Sequence, residues 1–204
     1  MEQKFKGETL KLRRCVKNIV EVYNSSNKFT SHNWYQEANN FARKLAIKYD
    51  VEVSVACGVI AALSPLKSWQ ENKLIAEGFL KSGNGKHTKV MLDKAYQIKL
   101  SDGEVETIAT ILNGNKITNF FINIYSPEQS NCITIDRHAI SIVLGRNIKE
   151  SEGVGITLRQ YNFFVNCYKL AGVKLGVDAI IVQSVSWQNW RETKSKKDNQ
   201  EVPF

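Results

Sequence analysis

The stretch "GNKITNFFINIYSPEQSNCITIDRHAISIVLG", residues 114–145, sets a lysine at the start of one apolar helical segment and an aspartate at the start of the next. Just before it Ile108, Ile111 and Leu112 pack; in its first part Gly114 turns the chain, and Ile117, Phe120 and Phe121 pack back. A helix–turn–helix with glycine in the turn aims backbone amides outward at the start of the second helix. Those amides and the helix dipole suit a phosphate, and Lys116 projects beside it. Asp136 precedes "RHAISIVLG", in which Ala139, Ile142 and Val143 form an apolar stripe. Two roles fit it. An ordinary N-cap contributes ~1 kcal/mol to its helix. A fixed carboxylate in a groove is also what cleavage of a nucleoside C–N bond needs, because the sugar becomes oxocarbenium-like in the transition state. A nearby lysine can instead attack the sugar carbon and form a Schiff base.

Outward from this stretch the period is helical almost throughout. Leu12, Val16, Ile19, Val20 and Tyr23 share one stripe of a helix expected over 8–23. Ser31 is placed to cap a helix carrying Trp34, Ala38, Phe41, Ala42 and Leu45. Residues 53–63 are apolar all round, which predicts a buried helix; alternating Val51, Val53 and Val55 leave a strand as the other reading. Pro65 ends that segment. "SWQE" at 68–71 predicts a capping box opening a helix that stops at "SGNG". Further helices fit 87–98, 103–112, and the segments beginning at Leu158 and Val177. Short helices joined by short turns predict an all-α fold with no internal repeat.

Composition narrows the function classes. With 204 residues the chain can bury a real core as one large domain or two small lobes. No apolar run approaches the ~20 residues that cross a bilayer, and "MEQKFKGETLKLRRC" lacks a signal-peptide core. A cytoplasmic protein without membrane partners is expected, in the host cytoplasm if phage-encoded. Cys15, Cys57, Cys132 and Cys167 are scattered without metal-ligand spacing, so they are expected as buried free thiols and no metal or cofactor is called for. The net charge of +8 and pI near 9.3 favour a polyanionic partner, of which nucleic acid is the commonest. Lys67, Lys73, Lys81, Lys86, Lys89, Lys94 and Lys99 crowd one stretch, although any one of them suits a solvated helix face. The terminal residues 194–204, with Lys194, Lys196 and Lys197, read as a polar, frayed tail.

The pattern "GNKITNFFINI…ITIDRHAISIVLG" resembles the core of the helix-hairpin-helix DNA glycosylase superfamily, the endonuclease III-like enzymes. There a Gly-x-Lys-Thr-Ala-Asn hairpin is followed by Val-Asp-Thr-His-Val and then Arg-Leu-Gly. The resemblance puts Lys116 on the lysine of the bifunctional members, Asp136 on the essential aspartate and His138 on the histidine two residues later. "AALSPLKSWQENKLIAEGF" is similar to the upstream Leu-Leu-Ser-Ala-Gln segment that enters the DNA, with Leu63 and Ser64 on its Leu-Ser. The match covers roughly 55–145. It implies a two-lobed helical fold over 1–193, with 55–145 as the hairpin and catalytic core, the N- and C-terminal helices as the second lobe, and a cleft between them. The chain departs from the pattern in three places. Leu-Pro-Gly-Val-Gly is reduced to "ILNGN", the glutamine after Leu-Ser is replaced by Pro65-Leu66, and the four-cysteine cluster is absent, so no iron–sulfur cluster is implied. "QSVSWQNWRE" at 183–192 looks like a tail shared by small phage proteins similar to the α-glutamyl/putrescinyl-thymine pyrophosphorylases.

Three functions follow from these readings. The leading one is a DNA base-processing enzyme, an N-glycosylase with a possible lyase step, that extrudes a modified or mismatched base and acts through Asp136. The second is a thymine-hypermodification enzyme acting on an activated 5-hydroxymethyl pyrimidine in DNA. The third is a non-catalytic DNA-binding module. Gly114, Asn115, Ser64, Lys67, Arg137, Trp69 and Gln70 are the expected DNA contacts. Lys67 equally suits solvated surface, Gln70 a polar helix face, and Arg137 contact with solvent. Trp187 and Trp190 suit either a core stripe or, with Arg191, a base-stacking surface. His32 and His87 lie near helix starts and carry no assignment.

Overall fold

The computed structural model describes residues 1–26, 33–148, 152–153 and 155–200, with side chains through 193. Among them the chain is mostly helical. After a small hairpin, β1 (Glu2–Phe5) and β2 (Glu8–Lys11), come α1 (Leu12–Asn24), α2 (Trp34–Tyr49), α3 (Val53–Ala62), α4 (Trp69–Ser82) and α5 (Lys89–Lys99). The remaining helices are α6 (Val105–Leu112), α7 (Asn115–Tyr125), α8 (Arg137–Leu144), α9 (Leu158–Leu175) and α10 (Ala179–Gln200). No single described helix is long and apolar enough to cross a membrane. Ser31, His32 and the side chains of Lys194, Lys196 and Lys197 lie outside the described residues.

The hairpin corrects the expected helix over 8–23. Strands β1 and β2 pair antiparallel, Glu2 with Lys11 through Phe5 with Glu8. Lys6 and Gly7 turn the chain at φ 46° and 81°. Two positive-φ central residues match the twist of a two-residue hairpin. Phe5 and Leu10 fall on one face and are buried, and the Phe5 ring meets the edge of Phe164 at 5.4 Å. Four-residue strands are too short to announce their alternation beside a strong helical stripe. The helix therefore starts at Leu12, and Cys15, Ile19 and Tyr23 form its buried line.

Two compact units emerge: Met1–Trp34 with Ile133–Phe204, and Tyr35–Cys132. Within the second, α3 is the hub for α4, α5, α6 and α7. It is helical from Val53, so the alternating valines form no strand. Small residues let its neighbours come close: a Cβ on Gly58 would meet Ile108 Cγ2 at 2.7 Å and Ile98 Cγ2 at 2.9 Å. The last carbonyls of a helix have no partner within it, and here side chains supply donors. Asn72 Nδ2 donates to Ile60 O of α3. Asn39 Nδ2 donates to Ile124 O and Tyr125 O of α7, and Lys99 Nζ to Leu80 O of α4. The expected capping box is present, with Ser68 and Glu71 bonded reciprocally and Gly83 closing α4 in the left-handed conformation.

Within the first unit α1 packs against α8, α9 and α10. Gly172 lets α9 turn tightly into α10: a Cβ there would stand 2.7 Å from Val177 O. Asn18 Nδ2 donates to Val143 O at the end of α8. Cys15 and Cys167, both buried on α1 and α9, share a hydrogen bond that lowers the Cys15 thiol and raises Cys167. Residues 194–200, expected within the tail, continue α10 as helix.

Candidate functional site

The segment leading into α8 is held from below. The Tyr161 hydroxyl donates to Ile133 O at 2.9 Å, and Ile133, Thr134 and Ile135 are buried. Asp136 then emerges half-buried as the N-cap of α8. One carboxylate oxygen, Oδ1, accepts from the Ala139 amide at 2.7 Å. The other, Oδ2, accepts from the Trp187 indole N–H at 2.8 Å. Below it Tyr168 is buried, donating to Ala139 O at 3.1 Å. Its phenol is pushed well above the ordinary range, first by burial and then by the Asp136 charge.

Other rings and a guanidinium pack about the Trp187 indole that holds that carboxylate. The His138 ring stands edge-on to Trp187, 6.0 Å between centroids, and Trp34 lies 6.1 Å from it at a tilt of 56°. The Arg191 guanidinium covers the Trp187 ring at 4.7 Å, within cation–π range. Asp136, His138 and Trp187 therefore converge within the first unit. Arg137, on the same first turn, is half-buried.

The other expected residues belong to the second unit. Between α6 and α7 the chain turns through Asn113 at φ 46° and Gly114 at φ 155°. No side chain caps α7, and Gly114, Asn115 and Lys116 are all exposed. Lys94 Nζ reaches Leu112 O at the end of α6.

The turn after α3 has an unexpected geometry. Lys67 N donates to Ser64 O at 3.2 Å, Ser64 Oγ is turned back to Ala61 O, and Leu66 sits at the apex with φ 61°. A leucine at positive φ costs roughly 1–2 kcal/mol, yet this one is 93% exposed. His87 holds the turn. Thr88 N donates to His87 Nδ1 at 2.8 Å, which leaves Nε2 as the donor to Pro65 O at 3.0 Å. Beside it Trp69 meets Phe41 at 6.0 Å, with Lys73 Nζ within 5.8 Å of both ring centroids. Lys67 is half-buried and Gln70 exposed.

Residues 1–194 match the model of a family described as "Family of unknown function (DUF7178)". The chain belongs to the DUF7178 family. No curated protein and no solved structure matches it. Among the described residues of this DUF7178 chain, no group of three or more His, Cys, Asp or Glu side chains is placed to hold a metal ion. The contacts of Trp187 with Asp136 and of His87 with Pro65 span 51 and 22 positions. No periodicity within one segment signals either of them. Leu66 carried one usable signal: the residue after a proline in "SPLK" is the third position of a turn, where a leucine is out of place.

Proposed function

We propose that this DUF7178 chain is a DNA base-processing enzyme of helix-hairpin-helix glycosylase type, with Asp136 at the reacting centre. The observation that carries the reading is the Asp136 carboxylate: half-buried and held by two donors, one of them the Trp187 indole, whose ring His138 meets edge-on. A fixed anion stabilises positive charge developing on a sugar without having to reorganise at the moment of reaction. In the hydrolytic step a water oxygen bonds to C1′ as the glycosidic C–N bond breaks. The bonding pair leaves with the base, the attacking water gives up one proton as the base gains one, and Asp136 offsets the positive charge that develops on the sugar.

Two features of the second unit support a DNA substrate. The uncapped, exposed start of α7 with Lys116 offers amides and a cation to a backbone phosphate. The exposed Leu66, kept in a strained conformation by its turn, is a wedge able to enter an opened base step. Ser64, Lys67, Trp69 and Gln70 flank it and are assigned to DNA contact in the second unit; in the first unit Arg137, beside Asp136, is assigned to DNA contact. Lys116 is also the nucleophile of any lyase step, through a Schiff base to the sugar.

A second reading has its own observation. The segment "QSVSWQNWRE", through which the chain resembles phage thymine-modifying proteins, supplies Trp187 to Asp136. On that reading an activated 5-hydroxymethyl pyrimidine is substituted while the glycosidic bond stays intact. Mass spectrometry of DNA carrying modified pyrimidines and mismatches, incubated with the protein, separates the readings. A free base supports the first and a new nucleoside the second. Salt-sensitive binding with neither product leaves a DNA-binding module and overturns both.

A further inference from the structure

We infer that Trp187 is a positioning residue for Asp136, fixing the carboxylate's orientation through its indole N–H; this rests on the reading of Asp136 as the reacting group. An N-cap carboxylate needs only one oxygen for its helix, and the other ordinarily turns to water. Here Oδ2 is claimed by a side chain from α10 at 2.8 Å, while Oδ1 stays on the Ala139 amide. Two donors in different directions fix the rotation of the carboxylate about its last bond. Each oxygen keeps one further lone pair, so the charge remains available to a reactant from a set direction.

The identity of the donor matters. An indole N–H donates and never accepts, and it does not ionise in the working range. It therefore supports the carboxylate anion without handing it a proton, as a histidine or lysine in the same place would. Trp187 is itself held: Arg191 lies over its face at 4.7 Å, with His138 and Trp34 about its ring. The neighbouring indole shows the contrast. Trp190 sits three residues along the same helix, and its Nε1 is buried without an acceptor among the described residues. Of these two indoles, α10 directs one onto the acid.

Two readouts test this. The chain has 4 Trp, so nitrogen-15 spectra contain four indole signals, and Trp187→Phe identifies the one from position 187. In wild type that signal is expected to be shifted and slow to exchange; in Asp136→Ala it moves and exchanges quickly while the others hold. A Trp187 signal indifferent to Asp136→Ala overturns the clamp.

Kinetically, Trp187→Phe is expected to lower kcat about ten- to hundredfold with KM within about threefold, since misplacement acts on the reacting geometry. Replacing the indole with benzothiophene keeps the ring and removes only the N–H, so a poorly folded phenylalanine variant does not obscure the result. Wild-type kcat in the benzothiophene protein, with Asp136→Asn inactive, overturns the positioning role. A wild-type chain that forms neither product overturns the enzymatic reading of Asp136. The indole signal still decides the clamp in that case.

Discussion

The starts of α7 and α8 are built in opposite ways. At α7 a glycine at φ 155° stands where a capping side chain would be, and the first turn is exposed. At α8 the Asp136 side chain closes the first turn and is itself closed upon by Trp187. Both termini carry the same partial positive charge from aligned peptide dipoles. The α7 start leaves that charge for an anion from outside. The α8 start spends it on holding an internal anion in place. One helix terminus is thus suited to gripping a phosphate, and the other to presenting a carboxylate.

The largest expected effect falls on the closed start. Asp136→Asn keeps a capping oxygen, but its amide NH2 then faces the Trp187 or Ala139 donor, and the charge is gone. Product formation is expected to fall at least ~100-fold with DNA affinity within about threefold. Retained turnover would remove the distinction between the two termini. At the open start, Lys116→Ala is expected to weaken DNA binding about tenfold, lower the salt-dependence slope by about one, and abolish borohydride trapping on abasic DNA. An adduct that survives this substitution excludes Lys116 as the nucleophile.

Leu66→Gly sharpens the contrast between strain and stability. Glycine relieves the φ of 61° but gains freedom in the unfolded chain, so stability should stay level or rise by up to ~1 kcal/mol. Turnover should nevertheless drop several-fold. A parallel loss of Tm and turnover would make the turn a structural element only.

Smaller effects separate the termini by stability. Asp136→Ala removes a cap and Gly114→Ala forces an alanine into a glycine conformation. Each is expected to cost about 1 kcal/mol in urea titrations. The smallest effect is alkaline. Burial holds the Cys57 thiol up to about 12 from an ordinary 9.0, so the folded chain keeps a proton that the unfolded chain releases. Stability present below pH 9 should decline from there toward about 12. Cys57→Ala should flatten the onset in a Tm-against-pH curve. Tyr168→Phe should flatten a portion starting nearer its ordinary 10.0.

Much of the helical plan could be read locally. The capping box at Ser68, the all-round apolar α3 and the Asp136 cap are patterns complete within a few residues, and each formed as expected. The hairpin is not legible in the sequence because Phe5 and Leu10 are only two inward positions, beside a longer helical stripe. For the site, the residue types at 136 and 138 marked the candidate position. Their surroundings came from elsewhere in the chain, in Trp34, Trp187 and Arg191.

By itself, then, the sequence determined most helix starts and stops, though not the start of α1, because capping and amphipathic burial are short-range and repeat with the helical period. Tertiary structure alone decided which side chains share a neighbourhood. An indole meets a carboxylate 51 residues away only after α10 packs against α8, and that meeting depends on packing across the whole unit.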